Sequence, residues 1–125
     1  MPSGVSWTLA EETAFIQFLV DHKSEGGDGA TFKGPTYQKA LAHISPLRER
    51  GPAKNIKSLQ NKWTTFRKIY RVILAIQLVS GWVWDDERGA NINVHSASSW
   101  EDYVKKHPAA KPFRNKGWGH LGKVA

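Results

Sequence analysis

Asn55-Ile-Lys-Ser-Leu-Gln-Asn-Lys-Trp-Thr-Thr-Phe-Arg-Lys-Ile-Tyr70 is the stretch whose reading decides the fold. Ile56, Leu59, Trp63, Phe66, Tyr70 and Ile73 recur at three- and four-residue steps, the spacing of an apolar helical stripe. Lys57, Asn61, Thr64, Thr65 and Lys68 fall on the opposite side, flanked by Gln60, Arg67 and Arg71. Basic and amide side chains on one rigid face, backed by aromatics, are what a helix needs to enter a DNA major groove. The same periodicity also fits an ordinary amphipathic helix whose polar face is merely wet.

Charge separates the two readings better than periodicity does. The 125 residues carry a net charge of +7, distributed in blocks. Residues 48–71 hold eight bases against Glu49, and residues 105–125 hold six bases and no acid. Residues 1–30 and 72–104 are each at −4. Such segregation favours a polyanion partner over uniform solubilising charge. An anionic membrane is disfavoured, because the aromatics behind the basic helix belong to the core and leave no apolar face to insert.

Outward from this helix, the chain reads as all-α. Residues 1–6 form a loose lead-in. Thr8 and Glu11 have capping-box spacing and open a first helix to about Ser24, with Ala14, Phe15, Phe18 and Leu19 inward. Ser24 to Gly29 is a glycine-rich loop. A second helix starts near Pro35 and Thr36, places Tyr37, Ala40, Leu41 and Ile44 at helical spacing, and stops at Pro46. Asn55 is the expected N-cap of the third helix, and Gly81 its C-terminal stop. The joint between helices two and three gives a helix-turn-helix outline. Ser98 to Glu101 repeats the capping-box pattern ahead of a short fourth helix that Pro108 closes. The expected division is a core over 7–80 and an extension over 81–125 within a single domain.

The chain has no cysteine, so disulfides and thiolate zinc sites are excluded. It reads as soluble and intracellular, with no hydrophobic leader at the N-terminus. Residues 29–36 resemble a phosphate-binding loop, but Pro35 stands where the lysine is required. Asp85-Asp-Glu87 is better explained as turn charge than as a carboxylate metal site, because three consecutive acids splay apart. The five histidines lack ligand spacing. Neither metal nor cofactor, small-molecule substrate nor enzymatic activity is expected. Trp118, in the basic tail, either stacks on a partner or packs.

Trp7-Thr8, Leu59-Gln-Asn-Lys-Trp63 with Phe66, Lys68 and Tyr70, Gly81-Trp-Val-Trp-Asp85, Trp100-Glu-Asp-Tyr103 and His107 to Arg114 occur in this order along most of the chain. In that order and spacing they resemble the Myb/SANT-like DNA-binding family, a divergent branch of the Myb trihelical fold found in fungi and plants. The resemblance implies a three-helix bundle with a C-terminal extension, and one core aromatic from each helix. Trp7 and Trp63 stand for the first and third, Tyr37 or a neighbour for the second, and Phe66 joins them. It also implies that the third helix reads double-stranded DNA. Lys57 and Asn61, six and two residues before the third tryptophan, are the base readers. Lysine suits guanine O6 and N7, and asparagine suits adenine N6 and N7. Gln60 and Thr64 flank them. Lys54, Lys62, Thr65, Arg67, Lys68 and Arg71 are assigned to phosphates.

Two departures from an ordinary Myb repeat stand out. The first and third tryptophans are far apart, and residues 81–125 continue past the third helix, where Trp82, Trp84 and Trp100 are expected to pack on its back. A transcription-factor or transposon-related module in the nucleus follows from the resemblance. The alternatives are a SANT-like protein-interaction module or a transposase accessory subunit, with a protein partner or a homodimer.

Overall fold

The structure is a computed structural model, and it describes residues 5–23 and 32–124. Most of the expected lead-in, the loop from Ser24 to Gly29 and the start of the phosphate-loop-like stretch lie outside the described residues. The helices are α1 (Leu9–Asp21), α2 (Gly34–Ile44), α3 (Ile56–Gln77), α4 (Ala97–Lys106) and α5 (Leu121–Val124), with 3-10 turns at Ser45–Leu47 and Pro108–Phe113. Among the described residues no strand forms, and one isolated antiparallel bridge joins Asp85 and Gly89. The all-α expectation holds. Two compact units divide the chain between Thr65 and Phe66, with Val124 counted in the first.

In the first unit, the Thr8–Glu11 capping box forms as read. Glu11 N–H donates to Thr8 Oγ1 at 3.1 Å, and Thr8 N–H donates to Glu11 Oε1 at 2.9 Å. The buried face of α1 differs from the expected one. It consists of Glu11, Phe15, Ile16 and Leu19, while Ala14 and Phe18 are half-buried. A buried carboxylate holds one position of the stripe, which turns the helix away from the register that apolar residues alone specify. The helix also stops earlier, at Asp21, because His22 leaves helical geometry and its ring stacks on Phe18 at 3.9 Å.

Helix α2 packs on α1 and buries Thr36, Tyr37, Ala40 and Ile44. Phe32 meets Tyr37 edge-on at 6.2 Å and Trp63 at 5.9 Å. Edge-to-face pairs of this kind add about 0.5–1.5 kcal/mol beyond their area. Burial also pushes the Tyr37 hydroxyl pKa up.

The second unit contains the C-terminal half of α3. Ile73, Ile76, Ala90, Ile92, Trp100, Ala110 and Phe113 form its core, with Trp82, Trp84, Tyr103 and Trp118 packed around them. Trp82 lies 5.2 Å from both Trp100 and Tyr103. Phe66 packs against Trp118 and His120, each at 5.6 Å. Trp118 is therefore half-buried in packing.

A turn at residues 85–89 is tied to the chain near residue 117. Asp85 and Gly89 exchange two backbone bonds, and Asp85 Oδ2 accepts from the amides of Glu87 and Arg88. Gly117 N–H donates to Glu87 O at 3.0 Å, and a Cβ at Gly117 would lie 1.8 Å from Asp86 O. Only glycine permits so close an approach of two backbones.

The second capping box does not form. Helix α4 begins at Ala97, with Trp100 N–H bonded to Ser96 O at 3.0 Å, and its N-cap Ser96 makes no side-chain cap. Instead Asn93 and Ser96 organise the preceding turn: Asn93 N–H donates to Ser96 Oγ and His95 N–H to Asn93 Oδ1. Ser98 is thus already inside the first turn.

Candidate nucleic-acid interface

The start of α3 is fixed by a reciprocal cap. Ser58 N–H donates to Asn55 Oδ1 at 2.9 Å, and Asn55 N–H donates to Ser58 Oγ at 3.3 Å. This satisfies amides that a helix start leaves without partners. No acid stands in the first turn of α3, so nothing there offsets the positive end of the helix dipole.

The second device is Lys54, one residue before the cap. Its Nζ donates to Glu11 Oε2 at 2.5 Å, and the two side chains are 3% and 1% exposed. Lys54 also sits over the Trp7 ring, 4.9 Å from its centroid. Burial drives the Glu11 carboxyl upward. The bonds from Lys54 and Thr8 together outweigh it and hold the carboxyl below its ordinary value. The same glutamate therefore caps α1 and pins the entry to α3. Lys54 is placed elsewhere than a phosphate contact requires, since its ammonium is buried and bound.

Beyond the cap, Leu59, Trp63, Phe66 and Ile73 of the apolar stripe of α3 are buried, while Ile56 and Tyr70 are half-buried. Lys57, Gln60, Asn61, Thr64, Thr65, Lys68 and Arg71 are exposed. At a helical step of about 100° per residue, Lys57, Asn61, Thr64, Lys68 and Arg71 fall within roughly 80° of arc. Two threonines have their donors engaged. Thr64 Oγ1 donates to Gln60 O and Thr65 Oγ1 to Asn61 O, each at 3.0 Å. They offer a partner lone pairs and methyl groups, whereas Lys57, Gln60 and Asn61 keep side-chain donors outward.

The other expected phosphate ligands differ among themselves. Lys62 is half-buried, pairs with Glu12 at 3.0 Å and lies over Trp7 at 5.5 Å. Arg67 is half-buried with its guanidinium 5.6 Å from the Tyr70 centroid. Lys68 and Arg71 project freely into solvent. An open groove of about 520 Å³ borders the N-terminal part of the face, and Trp7, Pro52, Lys57, Asn61 and Thr65 are among the residues that line it.

Of the expected aromatic cluster, Trp7 packs on Phe15 at 5.4 Å, and Tyr37 and Trp63 are linked through Phe32. Phe32 had no signal in the sequence, since it follows a glycine-rich run and precedes α2. Among the described residues no group of three His, Asp or Glu gathers as a metal site, and no helix is long and apolar enough to cross a membrane. Asp85 serves the turn at residues 85–89, and Asp86 accepts from Trp84 Nε1 at 3.1 Å.

A helical domain whose capped third helix turns lysine and amide side chains outward is of the helix-turn-helix class. The family model for the Myb/SANT-like DNA-binding domain matches residues 6–103, more than three quarters of the 125 residues. The chain belongs to that family, and DNA is the partner the family defines. Comparison with curated proteins and with solved structures yields no match.

Proposed function

We propose that the protein binds double-stranded DNA sequence-specifically, with the exposed face of α3 in the major groove. The supporting observation is the outward stripe of Lys57, Gln60, Asn61 and Thr64 on a helix whose start is held by the Asn55 cap and the Lys54–Glu11 pair. Asn61 presents an amide able to bond an adenine edge twice, and Lys57 a donor suited to guanine O6 and N7. Thr64 offers its methyl to a thymine. Lys68 and Arg71 take phosphates, with Lys62, Thr65 and Arg67 as weaker contributors, because Lys62 is paired with Glu12, Thr65 Oγ1 donates to Asn61 O and Arg67 is half-buried over Tyr70. Lys54 serves the fold. The module acts in the nucleus, in transcriptional regulation or in a transposon-related role.

Salt-titrated anisotropy with a labelled duplex tests the electrostatic part. If about five phosphates are neutralised, log Kobs against log salt has a slope of roughly −4 to −5. A slope near zero would remove the phosphate contacts from the account.

A further inference from the structure

Helix α4 and the 3-10 turn after it border a second surface that the α3 reading does not use. An open groove of about 470 Å³ is lined by Trp100, Glu101, Val104, Lys105, Lys111 and Arg114. Trp100 is buried at 3% exposure and Val104 is half-buried, so the floor is apolar. Lys105, Lys111 and Arg114 stand exposed around it. Glu101 is the one acid of the lining, which leaves the groove at net +2. No ion pair reaches the three bases among the described residues, although Glu101 is one turn from Lys105.

The walls are held in place. Ala90 N–H donates to Phe113 O at 2.8 Å, Ile92 N–H to Arg114 O at 3.3 Å, and Asn115 Nδ2 to Ile92 O at 3.0 Å. Trp100 is wedged against Trp82 and Tyr103. The groove is thus part of the packed unit.

We infer that this groove docks an acidic segment of a partner protein that inserts a bulky apolar side chain over Trp100 and Val104. An apolar floor gains nothing from a phosphodiester, while cations alone gain nothing from an apolar group. The two together fit a peptide carrying both carboxylates and an aromatic or leucine side chain. The groove volume lies within the range that holds one or two large side chains, and its open side suits a continuous chain.

The test uses the whole chain and a fluorescein-labelled synthetic peptide, Asp-Asp-Glu-Phe-Asp-Asp-Leu-Glu. One control peptide replaces Phe and Leu with Ser. The other replaces the acids with Asn and Gln. The parent peptide is expected to bind, to shift the backbone amide signals of Val104, Lys105, Lys111 and Arg114, and to outbind each control. The double variant Lys111→Glu/Arg114→Glu weakens it about tenfold with the remaining spectrum unchanged. Lys111→Glu alone, at an exposed position, gives an intermediate loss and guards against a folding defect. Equal binding of the parent and serine peptides would overturn the inference, as would no binding at all. Duplex DNA shifting the same four signals and displacing the peptide would assign the groove to phosphates instead. Self-association abolished by the two reversals would assign it to a second copy.

Discussion

Lys54→Ala is the change that separates a fold-fixing lysine from a DNA-contacting one. It deletes the ammonium bound to Glu11 and leaves a carboxylate 1% exposed. That carboxylate keeps the bond that Thr8 N–H donates to Oε1 at 2.9 Å. Removing one member of a buried pair costs about 3–5 kcal/mol, because the survivor cannot return to water. Domains of this size hold about 5–15 kcal/mol in total, so the variant is expected to lose a large part of its stability. Urea unfolding followed by tryptophan fluorescence reads this directly. The double variant Glu11→Gln/Lys54→Met keeps the cap acceptor and buries no charge, and it should recover most of the loss. A loss below about 1 kcal/mol for Lys54→Ala, the size of a surface pair, would refute the argument. So would a double variant as unstable as the sum of the singles.

The same pair fixes a pH dependence. The folded-state pKa of Glu11 is lowered from its ordinary value of 4.5. A depressed carboxyl contributes stability that is fully present above the unfolded value and is lost as pH falls through the folded one. Wild-type stability should therefore fall as pH drops below 4.5, and more steeply than that of the double variant.

Four further outcomes are expected. Asn55→Ala removes the side-chain cap of α3 and should cost about 0.5–2 kcal/mol in urea unfolding. Gly117→Ala drives a Cβ to within 1.8 Å of Asp86 O and should destabilise by about 1–3 kcal/mol. Gly119→Ala, with nothing within 4 Å of its Cβ, should leave the thermal midpoint nearly unchanged. Lys68→Ala should weaken all duplexes alike and reduce the salt slope by about 1, as salt-titrated binding would show.

Much of this was legible where the cause is local. The Thr8–Glu11 box and the Asn55 cap are short-range bonds between residues three apart, and both formed. The stripe of Leu59, Trp63, Phe66 and Ile73 announced its buried face by period alone. Long-range causes left no such trace. Glu11 and Lys54 lie 43 positions apart, so in sequence Lys54 is one more base in a basic block, and apolar spacing alone gives no hint of a carboxylate on the buried face of α1. Phe32 bridges Tyr37 and Trp63 from a segment with no periodicity. The Ser98–Glu101 pattern failed because the Asn93–Ser96 turn starts α4 two positions earlier. The groove at Lys105, Lys111 and Arg114 depends on how the 3-10 turn folds back beside α4, which spacing does not encode.

The most direct test of the central claim is selection from a random duplex pool with wild type and Asn61→Ala in parallel. Wild type should converge on a short motif, and Asn61→Ala should lose discrimination at one base position by about 1–3 kcal/mol while keeping the rest. Failure of wild type to converge, or equal losses on matched and mismatched sites for Asn61→Ala, would contradict a reader face on α3.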